Sequence, residues 1–221
     1  MAAHPSSPEL CSQIEDLGAT FLPFPIQRNG LNPVRDMSTF FSLYKIFRKI
    51  KPDLIVAYTI KPVIWGGFAA FLSGCPRFYA LITGLGFAFE GQGIKRKALK
   101  TIVSLLYRLS LRTAIRVIFQ NHDNLRTFVQ SNIVPAGKCS VVRGSGVNTK
   151  HYKKTPLLSG PPNFLLMARL LKEKGIREYS QAAKKVKELY PDAVFNLLGE
   201  EDPSPDGVPL AEVINWHDKG I

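Results

Sequence analysis

The hydrophobic residues of this chain fall into short apolar runs that alternate with longer stretches of helical spacing. The short runs predict buried strands at 20–24, 54–58, 78–82, 116–120, 140–142, 164–168 and 194–198. The longer stretches predict helices at 9–17, 36–50, 63–73, 95–112, 122–131, 176–190 and 210–219. Because strand and helix alternate, we predict an α/β fold in which helices wrap parallel sheets. The first predicted element is a helix.

A polar stretch without periodicity separates two strand-helix series. It contains Gly144, Gly146, Pro156 and Gly160, which are typical of a connecting segment. The prediction is therefore two Rossmann-like domains. The first covers residues 1–145, a linker covers 146–160, and residues 161–221 form the start of the second.

The stretch 163–178, NFLLMARLLKEKGIRE, carries the strongest functional signal. Arg169 directly follows a predicted buried strand, and Lys174 and Gly175 open the next helix. This is the usual build of an α/β phosphate site, in which the carboxyl end of the strand points at the ligand. Arg offers a planar fork of donors and Lys a compact charge, so the pair suits a diphosphate. The alternative is that both are solvated loop charges, since Arg and Lys are mostly exposed.

Two further loops follow neighbouring predicted strands. Thr59 and Lys61 come after the strand 54–58, and the loop Thr83-Gly84-Leu85-Gly86 comes after 78–82. Ligands bind at the carboxyl ends of such strands. The alternative is that the glycines simply form a tight turn.

The segment 198–202, LGEED, ends a strand in a glycine turn that carries three carboxylates. On residue type alone, an acidic cluster of this kind is usually a solvated loop.

The predicted helix 95–112 is basic and amphipathic. Its cations are Lys95, Arg96, Lys97, Lys100, Arg108 and Arg112, and its predicted apolar face is Leu99, Ile102, Val103 and Leu106. Such a helix can lie on an anionic membrane surface. It can equally cover the sheet with its apolar face and show its charges to water.

Charge favours anionic partners without choosing among them. The chain has 221 residues, 29 Lys and Arg against 17 Asp and Glu, and a net charge of +12. Phosphates, nucleic acid and acidic membranes all fit, but no nucleic-acid-binding module is recognisable, so no nucleic-acid partner is expected.

Several site classes lose support from the sequence. The three cysteines have no CxxC spacing and the four histidines no metal-ligand spacing, so neither a disulfide framework nor a metal site is predicted and a reducing cytoplasm fits. The sequence contains no G-x-G-x-x-G and no P-loop motif. The longest apolar run, 63–72, is too short to span a bilayer, and the first residues do not form a signal peptide.

A strand followed by A-R-L-x-x-x-K-G, a helix ending near Y-P-D-A and then L-L-G resembles the donor domain of family 4 glycosyltransferases (GT4), which have the GT-B fold. In that family the motif's Arg and Lys hold the diphosphate of a nucleotide sugar, and they match Arg169 and Lys174. The family often has L-L-G-P-x-D near the nucleoside, which implies nucleoside-side roles for Gly199 and Glu200, although Glu200 replaces the Pro. The segment 143–152 is similar to the family's N-G-V-D-x-x-x-F interdomain hinge, with Asn148 in place of Asp.

The blocks Y-T-I-K-P and I-T-G-L-G-F resemble a bacterial subgroup of this family. That subgroup adds N-acetylgalactosamine or similar sugars to undecaprenyl-diphosphate-linked saccharides. The resemblance implies acceptor-side roles for Thr59, Lys61, Thr83 and Gly84, although many relatives carry His-Gly where Thr83-Gly84 stands.

The resemblance implies retaining transfer of a sugar, an N-acetylhexosamine, from a UDP-sugar to a lipid-linked saccharide. The expected setting is peripheral, on the inner face of the cytoplasmic membrane, with an anionic lipid surface as partner and no cofactor. Arg169 and Lys174 would offset charge on the leaving diphosphate, and no general base is identified. The alternative is a chain that binds anions or membrane without turnover.

The resemblance covers nearly all of this chain but only the middle of a family member. The family's first strand and its glycine loop should precede residue 9 and are expected to be missing from this chain, and the family's Glu-x7-Glu motif is expected beyond residue 221. Since catalysis in this family is mostly positioning across a cleft, we expect these 221 residues alone to show no transferase activity.

Overall fold

The structure is a computed structural model that describes residues 1–4, 7–27, 32–85, 89, 93–156, 159–203 and 206–220. The chain divides into two compact units, Met1–Asn148 and Thr149–Ile221. Each unit is described by itself. The predicted limits of the linker, 146–160, remain a prediction.

The first unit alternates strands and helices as the sequence predicts. Its strands are β1 (Ala2–Ala3), β2 (Leu22–Pro23), β3 (Ile55–Tyr58), β4 (Phe78–Ile82), β5 (Ala114–Phe119) and β6 (Cys139–Val141). Its helices are α1 (Pro8–Asp16), α2 (Pro33–Ile50), α3 (Ile60–Ser73), α4 (Ile94–Ser110) and α5 (His122–Gln130). Strands β3 to β6 form one parallel sheet in chain order, and β1 pairs with β2 in a separate parallel sheet.

The first element differs from the sequence prediction, because β1 precedes helix α1. This strand has two alanines and no apolar run that a sequence pattern can detect. Main-chain hydrogen bonds define it: the amide of Leu22 donates to the carbonyl of Met1, and that of Phe24 to Ala3.

The core of the first unit lies between the four-stranded sheet and its helices. Side chains of β3 alternate, with Ile55 and Ala57 buried and their neighbours exposed, as expected for a strand with one covered face. Helices α3 and α4 pack closely at Gly67, where an added Cβ would lie 2.8 Å from the carbonyl oxygen of Ser110. A side chain at this position would push the two helices apart.

Helix α4 covers the sheet with most of its predicted apolar face. Val103, Tyr107 and Ser110 are buried, and Leu99 and Leu106 pack against the core. Ile102, predicted on the core face, is 58% exposed, so that part of the prediction is wrong. The helix has two apolar faces, and helical spacing alone does not show which one meets the sheet.

The second apolar face of α4 is exposed. It consists of Ile94, Ile102, Leu105 and Leu109, each at least 44% exposed. Their spacing places them along one side of the helix. We call these four residues the outer apolar stripe.

The second unit is one strand-helix-strand-helix series. It contains β7 (Asn163–Met167), α6 (Ile176–Leu189), β8 (Val194–Leu198) and α7 (Leu210–Asp218). Strands β7 and β8 are parallel, and Met167 pairs with Leu198 at their carboxyl ends. The buried core of this unit consists of three residues that follow the carboxyl ends of β7 or β8 along the chain, Leu170, Ile176 and Val208. Among the helices described in both units, none is long and apolar enough to cross a membrane.

Candidate functional site

Arg169 and Lys174 lie on the connection between β7 and α6. The backbone amide of Leu170 donates to the carbonyl of Glu200 (2.9 Å), and that of Val208 to Leu170 (2.8 Å), so the connection is fixed to the segment that follows β8. A 3-10 turn, Lys172–Lys174, then leads to Gly175, whose φ of 71° is left-handed and favours glycine. The cations therefore lie in the strand-turn-helix context that the sequence predicts.

The guanidinium of Arg169 has one nitrogen bound to a carboxylate, while much of the side chain is exposed to solvent. Its Nη1 donates to Oδ2 of Asp202 at 2.5 Å, and the Asp202 side chain is only 5% exposed. The Arg169 side chain is 60% exposed. A guanidinium has five N–H donors, so contact with one carboxylate oxygen leaves others for a ligand.

Lys174 has a weaker partner. Its Nζ lies 3.4 Å from Oε1 of Glu173, and both side chains are about half exposed. Exposed pairs of this kind contribute little to stability and exchange readily with water. Lys174 can therefore turn to an anionic ligand without loss of a buried contact.

Gly199 is explained by close packing of the strand ends. A Cβ added to it would lie 1.8 Å from the carbonyl oxygen of Ala168, so no other residue fits without moving the backbone. This contact brings the segment after β8 against the segment that carries Arg169. A nucleoside-side role for Gly199 remains a prediction.

The three carboxylates after Gly199 have different surroundings. Oε1 of Glu201 accepts from the amide of Leu210 (3.0 Å) and so caps the first turn of α7. Asp202 holds Arg169. The carboxylate of Glu200 is exposed and makes no hydrogen bond or ion pair with the described residues, so it is accessible for the predicted nucleoside-side role.

Sequence reasoning missed the pairing of Asp202 with Arg169. The two residues are 33 positions apart, but they follow the carboxyl ends of adjacent parallel strands. A cation after one strand and an acid after its neighbour is the signal that points to such a pair.

Helices α6 and α7 are joined by a two-point ion pair. Nε and Nη2 of Arg177 donate to the two carboxylate oxygens of Glu212 at 2.7 and 2.6 Å. The hydrogen bond from Arg177 lowers the pKa of Glu212, and the same bond raises the pKa of Arg177. The pair orients α7, whose first turn is capped by Glu201 beside the Arg169 segment.

The predicted acceptor-side residues follow the carboxyl ends of β3 and β4, at one edge of the four-stranded sheet. Thr59 follows β3 and its amide donates to the carbonyl of Leu81 (3.2 Å), which places it beside the end of β4, the strand that Thr83 and Gly84 follow. Thr59 has φ 72° and ψ 172°, a region that side chains rarely adopt. Such strain costs about 1–3 kcal/mol and is concentrated at functional sites. Gly86, the last residue of the predicted loop, lies outside the described residues.

Lys61 is largely buried and paired. Its Nζ donates to Oδ1 of Asp36 at 2.7 Å, and the two side chains are only 14% and 13% exposed. The sequence placed Lys61 at the sheet edge but did not identify Asp36, which lies on α2. In this arrangement the ion pair fixes the start of α3 against α2.

In the part of the chain that the structure describes, no group of three His, Cys, Asp or Glu side chains is placed to hold a metal ion. The three cysteines are free thiols.

The comparisons with known proteins agree with this architecture. The model of a family described as "Glycosyl transferase 4-like" matches residues 4–121, more than half of the chain. This chain belongs to that family.

Two sequence relatives act on lipid-linked saccharides according to their names. N,N'-diacetylbacillosaminyl-diphospho-undecaprenol alpha-1,3-N-acetylgalactosaminyltransferase of Campylobacter jejuni is 29% identical, covering 91% of this chain and 56% of its own. UDP-Gal:alpha-D-GlcNAc-diphosphoundecaprenol alpha-1,3-galactosyltransferase of Escherichia coli is 28% identical, covering 86% of this chain and 51% of its own. The chain spans about half the length of these relatives.

A solved structure shows the same fold. UDP-GlcNAc 2-epimerase from Neisseria meningitidis, bound to UDP-GlcNAc, matches with a TM-score of 0.53 and 14% identity. The match covers 98% of this chain and 60% of the epimerase. The chain thus has the Rossmann-like α/β fold of the GT-B type, as predicted from the sequence.

Proposed function

We propose that the protein carrying this chain is a retaining glycosyltransferase. It transfers a sugar, an N-acetylhexosamine, from a UDP-sugar to an undecaprenyl-diphosphate-linked saccharide in the synthesis of cell-surface polysaccharide. The observation that carries the proposal is the presentation of Arg169 to solvent by buried Asp202 at the carboxyl end of β7. Membership of the family and the names of the two relatives support the reaction and both substrates.

In this proposal Arg169 and Lys174 bind the donor diphosphate. As the glycosidic bond breaks, negative charge grows on the leaving UDP. Cations that are already in place offset this charge in the transition state more than in the ground state. Gly199 and Glu200 are assigned to the nucleoside side, where the open Glu200 carboxylate is a suitable acceptor for hydroxyl groups.

The acceptor is assigned to the edge of the four-stranded sheet. Thr59 and Thr83 follow the two strands there and are at least partly exposed, and Gly84 leaves space for a ligand to approach the backbone. Lys61 contributes positive charge at the same edge, and its ion pair with Asp36 partly neutralises this charge. Hydroxyls and a cation suit the saccharide and the diphosphate of a lipid-linked acceptor.

A lipid-linked acceptor requires the protein to reach a membrane, and α4 provides a suitable surface. The outer apolar stripe is exposed and is accompanied by exposed or half-exposed cations of the same helix, Lys95, Arg96, Lys97 and Arg108. An apolar stripe with basic neighbours is typical of helices that lie in an anionic membrane interface. We place this protein peripherally on the inner face of the cytoplasmic membrane through this stripe.

The transfer assay tests the function. The protein that carries this chain is supplied with UDP-N-acetylgalactosamine, UDP-N-acetylglucosamine or UDP-galactose and an undecaprenyl-diphosphate-linked saccharide. We expect transfer from one donor, lost in Arg169→Ala and retained in Arg126→Ala, a change to an exposed arginine on α5. UDP binding without transfer to any lipid-linked acceptor would favour the non-catalytic alternative.

Vesicle sedimentation tests the membrane assignment. Ile102→Ser with Leu105→Ser leaves the charge unchanged and removes apolar area from the outer apolar stripe, so binding to anionic vesicles is expected to fall several-fold. Lys95→Gln with Lys97→Gln is expected to weaken binding mainly at low salt. The matched control is Lys184→Gln with Lys185→Gln, two exposed lysines of α6. Equal sedimentation of all variants would mean that α4 only covers the sheet.

A further inference from the structure

Asp202 is the single charged residue that is buried among the residues the structure describes. A buried carboxylate is unfavourable unless a cation or hydrogen-bond donors compensate it. Its charged partner is Arg169, whose side chain lies mostly in solvent. An ion pair with one partner buried and the other exposed contributes little net stability, because the desolvation cost of the buried carboxylate offsets the attraction.

The backbone around Asp202 is fixed on both sides. Before it, the carbonyl of Glu200 accepts from Leu170, and Glu201 caps α7. After it, the carbonyl of Asp206 accepts from the amide of Lys172 (3.0 Å). Described residues on both sides of Asp202 are therefore hydrogen-bonded to the connection that carries Arg169.

The consequence is a guanidinium with a defined orientation. Nη1 points to Asp202, and the exposed remainder of the fork is turned to solvent at the end of β7. An arginine that is fixed before its ligand arrives loses less side-chain freedom on binding. Lys174, with only the exposed Glu173 beside it at 3.4 Å, has no comparable anchor.

We propose that Asp202 is a positioning residue for diphosphate binding, acting through Arg169. This inference rests on the proposed function, in which Arg169 binds the donor diphosphate. Asp202 does not touch the ligand. It orients the fork so that the remaining N–H groups face the phosphate oxygens.

Replacement of Asp202 by Asn tests this proposal, because positioning and simple charge repulsion predict opposite changes in UDP affinity. A carboxylate near a diphosphate repels it, so an effect of charge alone predicts that Asp202→Asn tightens UDP binding. Positioning predicts the reverse, because the neutral amide holds a guanidinium less firmly. We expect Asp202→Asn to weaken UDP binding by roughly three- to tenfold in calorimetry.

Two variants separate positioning from other effects. Asp192→Asn makes the same chemical change at an exposed carboxylate of the same unit, before the amino end of β8, and it is expected to leave UDP affinity unchanged. In an Arg169→Ala background, Asp202→Asn is expected to change UDP affinity by less than about twofold, because the residue it acts through is gone. Thermal melts check that each variant is folded, and Asp202→Glu replaces Asp202→Asn if the latter is not.

The outcomes distinguish the two levels of the argument. If Arg169→Ala weakens UDP binding but Asp202→Asn leaves it unchanged or tightens it, the positioning role is overturned and the diphosphate site stands. If Arg169→Ala itself has no effect, both the diphosphate site and the positioning role are wrong. An equal effect of Asp202→Asn with and without Arg169 would also overturn the proposal, since it would show a purely structural role.

Discussion

The two units hold their site cations in different ways. In the first unit, Lys61 and Asp36 are both nearly buried, with exposures of 14% and 13%. In the second unit, Asp202 is buried at 5%, but its partner Arg169 is 60% exposed. The ion-pair distances, 2.7 and 2.5 Å, are similar, so the difference lies in which partner reaches solvent.

This difference separates a structural pair from a pair that presents a cation. When both charges are buried, each needs the other, and loss of one leaves an uncompensated charge in a poorly solvated site. When only the carboxylate is buried, the cation remains available to a ligand, although its loss also leaves the carboxylate without its charged partner. We therefore expect changes at Asp36 to affect mainly stability and changes at Arg169 to affect ligand binding as well.

The largest effect is expected for Asp36→Ala. It leaves Lys61 without its partner, and we expect the first unit to lose roughly 3 kcal/mol of unfolding free energy. Hydrogen exchange of the α2 and α3 amides reports this unit alone. The control, Asp123→Ala, removes an exposed partner of Arg126 at 3.7 Å and is expected to change little. Similar values for both variants would show that burial of the Lys61 pair is unimportant.

Gly199→Ala is expected to damage both parts of the second unit's site. The added Cβ overlaps the carbonyl of Ala168, so the strand ends must separate and the contact between Asp202 and Arg169 must loosen. We expect a loss of about 2 kcal/mol, with faster exchange of the β7 and β8 amides and weaker UDP binding. Gly137→Ala is the control, since a Cβ there meets no atom within 4 Å. If Gly199→Ala is less stable but binds UDP as tightly as the parent, the packing of the strand ends contributes to stability and not to UDP binding.

Most elements of this fold follow from the sequence because their patterns are long or bounded by glycine and proline. The strands β4 and β8 occupy the predicted residues, and α6 begins at the predicted Ile176, next to Gly175. β1 was missed because two alanines carry no periodicity. Ile102 was misplaced because α4 is apolar on two sides, and only the packing selects one of them.

The sequence is sufficient to locate the candidate cations but not their partners. Arg169 and Lys174 follow a strand in a recognisable motif, so local sequence is sufficient to find them. Asp202 and Asp36 reach their partners across 33 and 25 positions, through strand register and helix packing that composition does not contain. The positive φ of Thr59 could not be predicted either, because nothing in its residue type favours that conformation.

For donor binding, Arg169→Ala is expected to weaken UDP affinity by roughly tenfold or more, since charge-assisted contacts to phosphate are strong. Lys174→Ala is expected to have a smaller effect, because Lys174 is not fixed before binding. Calorimetry with UDP measures both, and Arg126→Ala is the control. A larger effect for Lys174→Ala would show that the anchored cation is not the principal phosphate ligand.

The smallest effect concerns the half-buried pair of Arg177 and Glu212. The hydrogen bond from Arg177 lowers the pKa of Glu212 in the folded state, while Arg177 stays charged. Glu212 therefore stabilises the fold at pH values above its ordinary pKa, and this contribution disappears as the pH falls through its lowered value. Glu212→Gln lacks this contribution at every pH. The denaturation midpoint of the parent chain is thus expected to exceed that of the variant near pH 7 and to approach it in acid. A difference that stays constant down to the acid range would show that Glu212 acts through packing of α7, not through its charge.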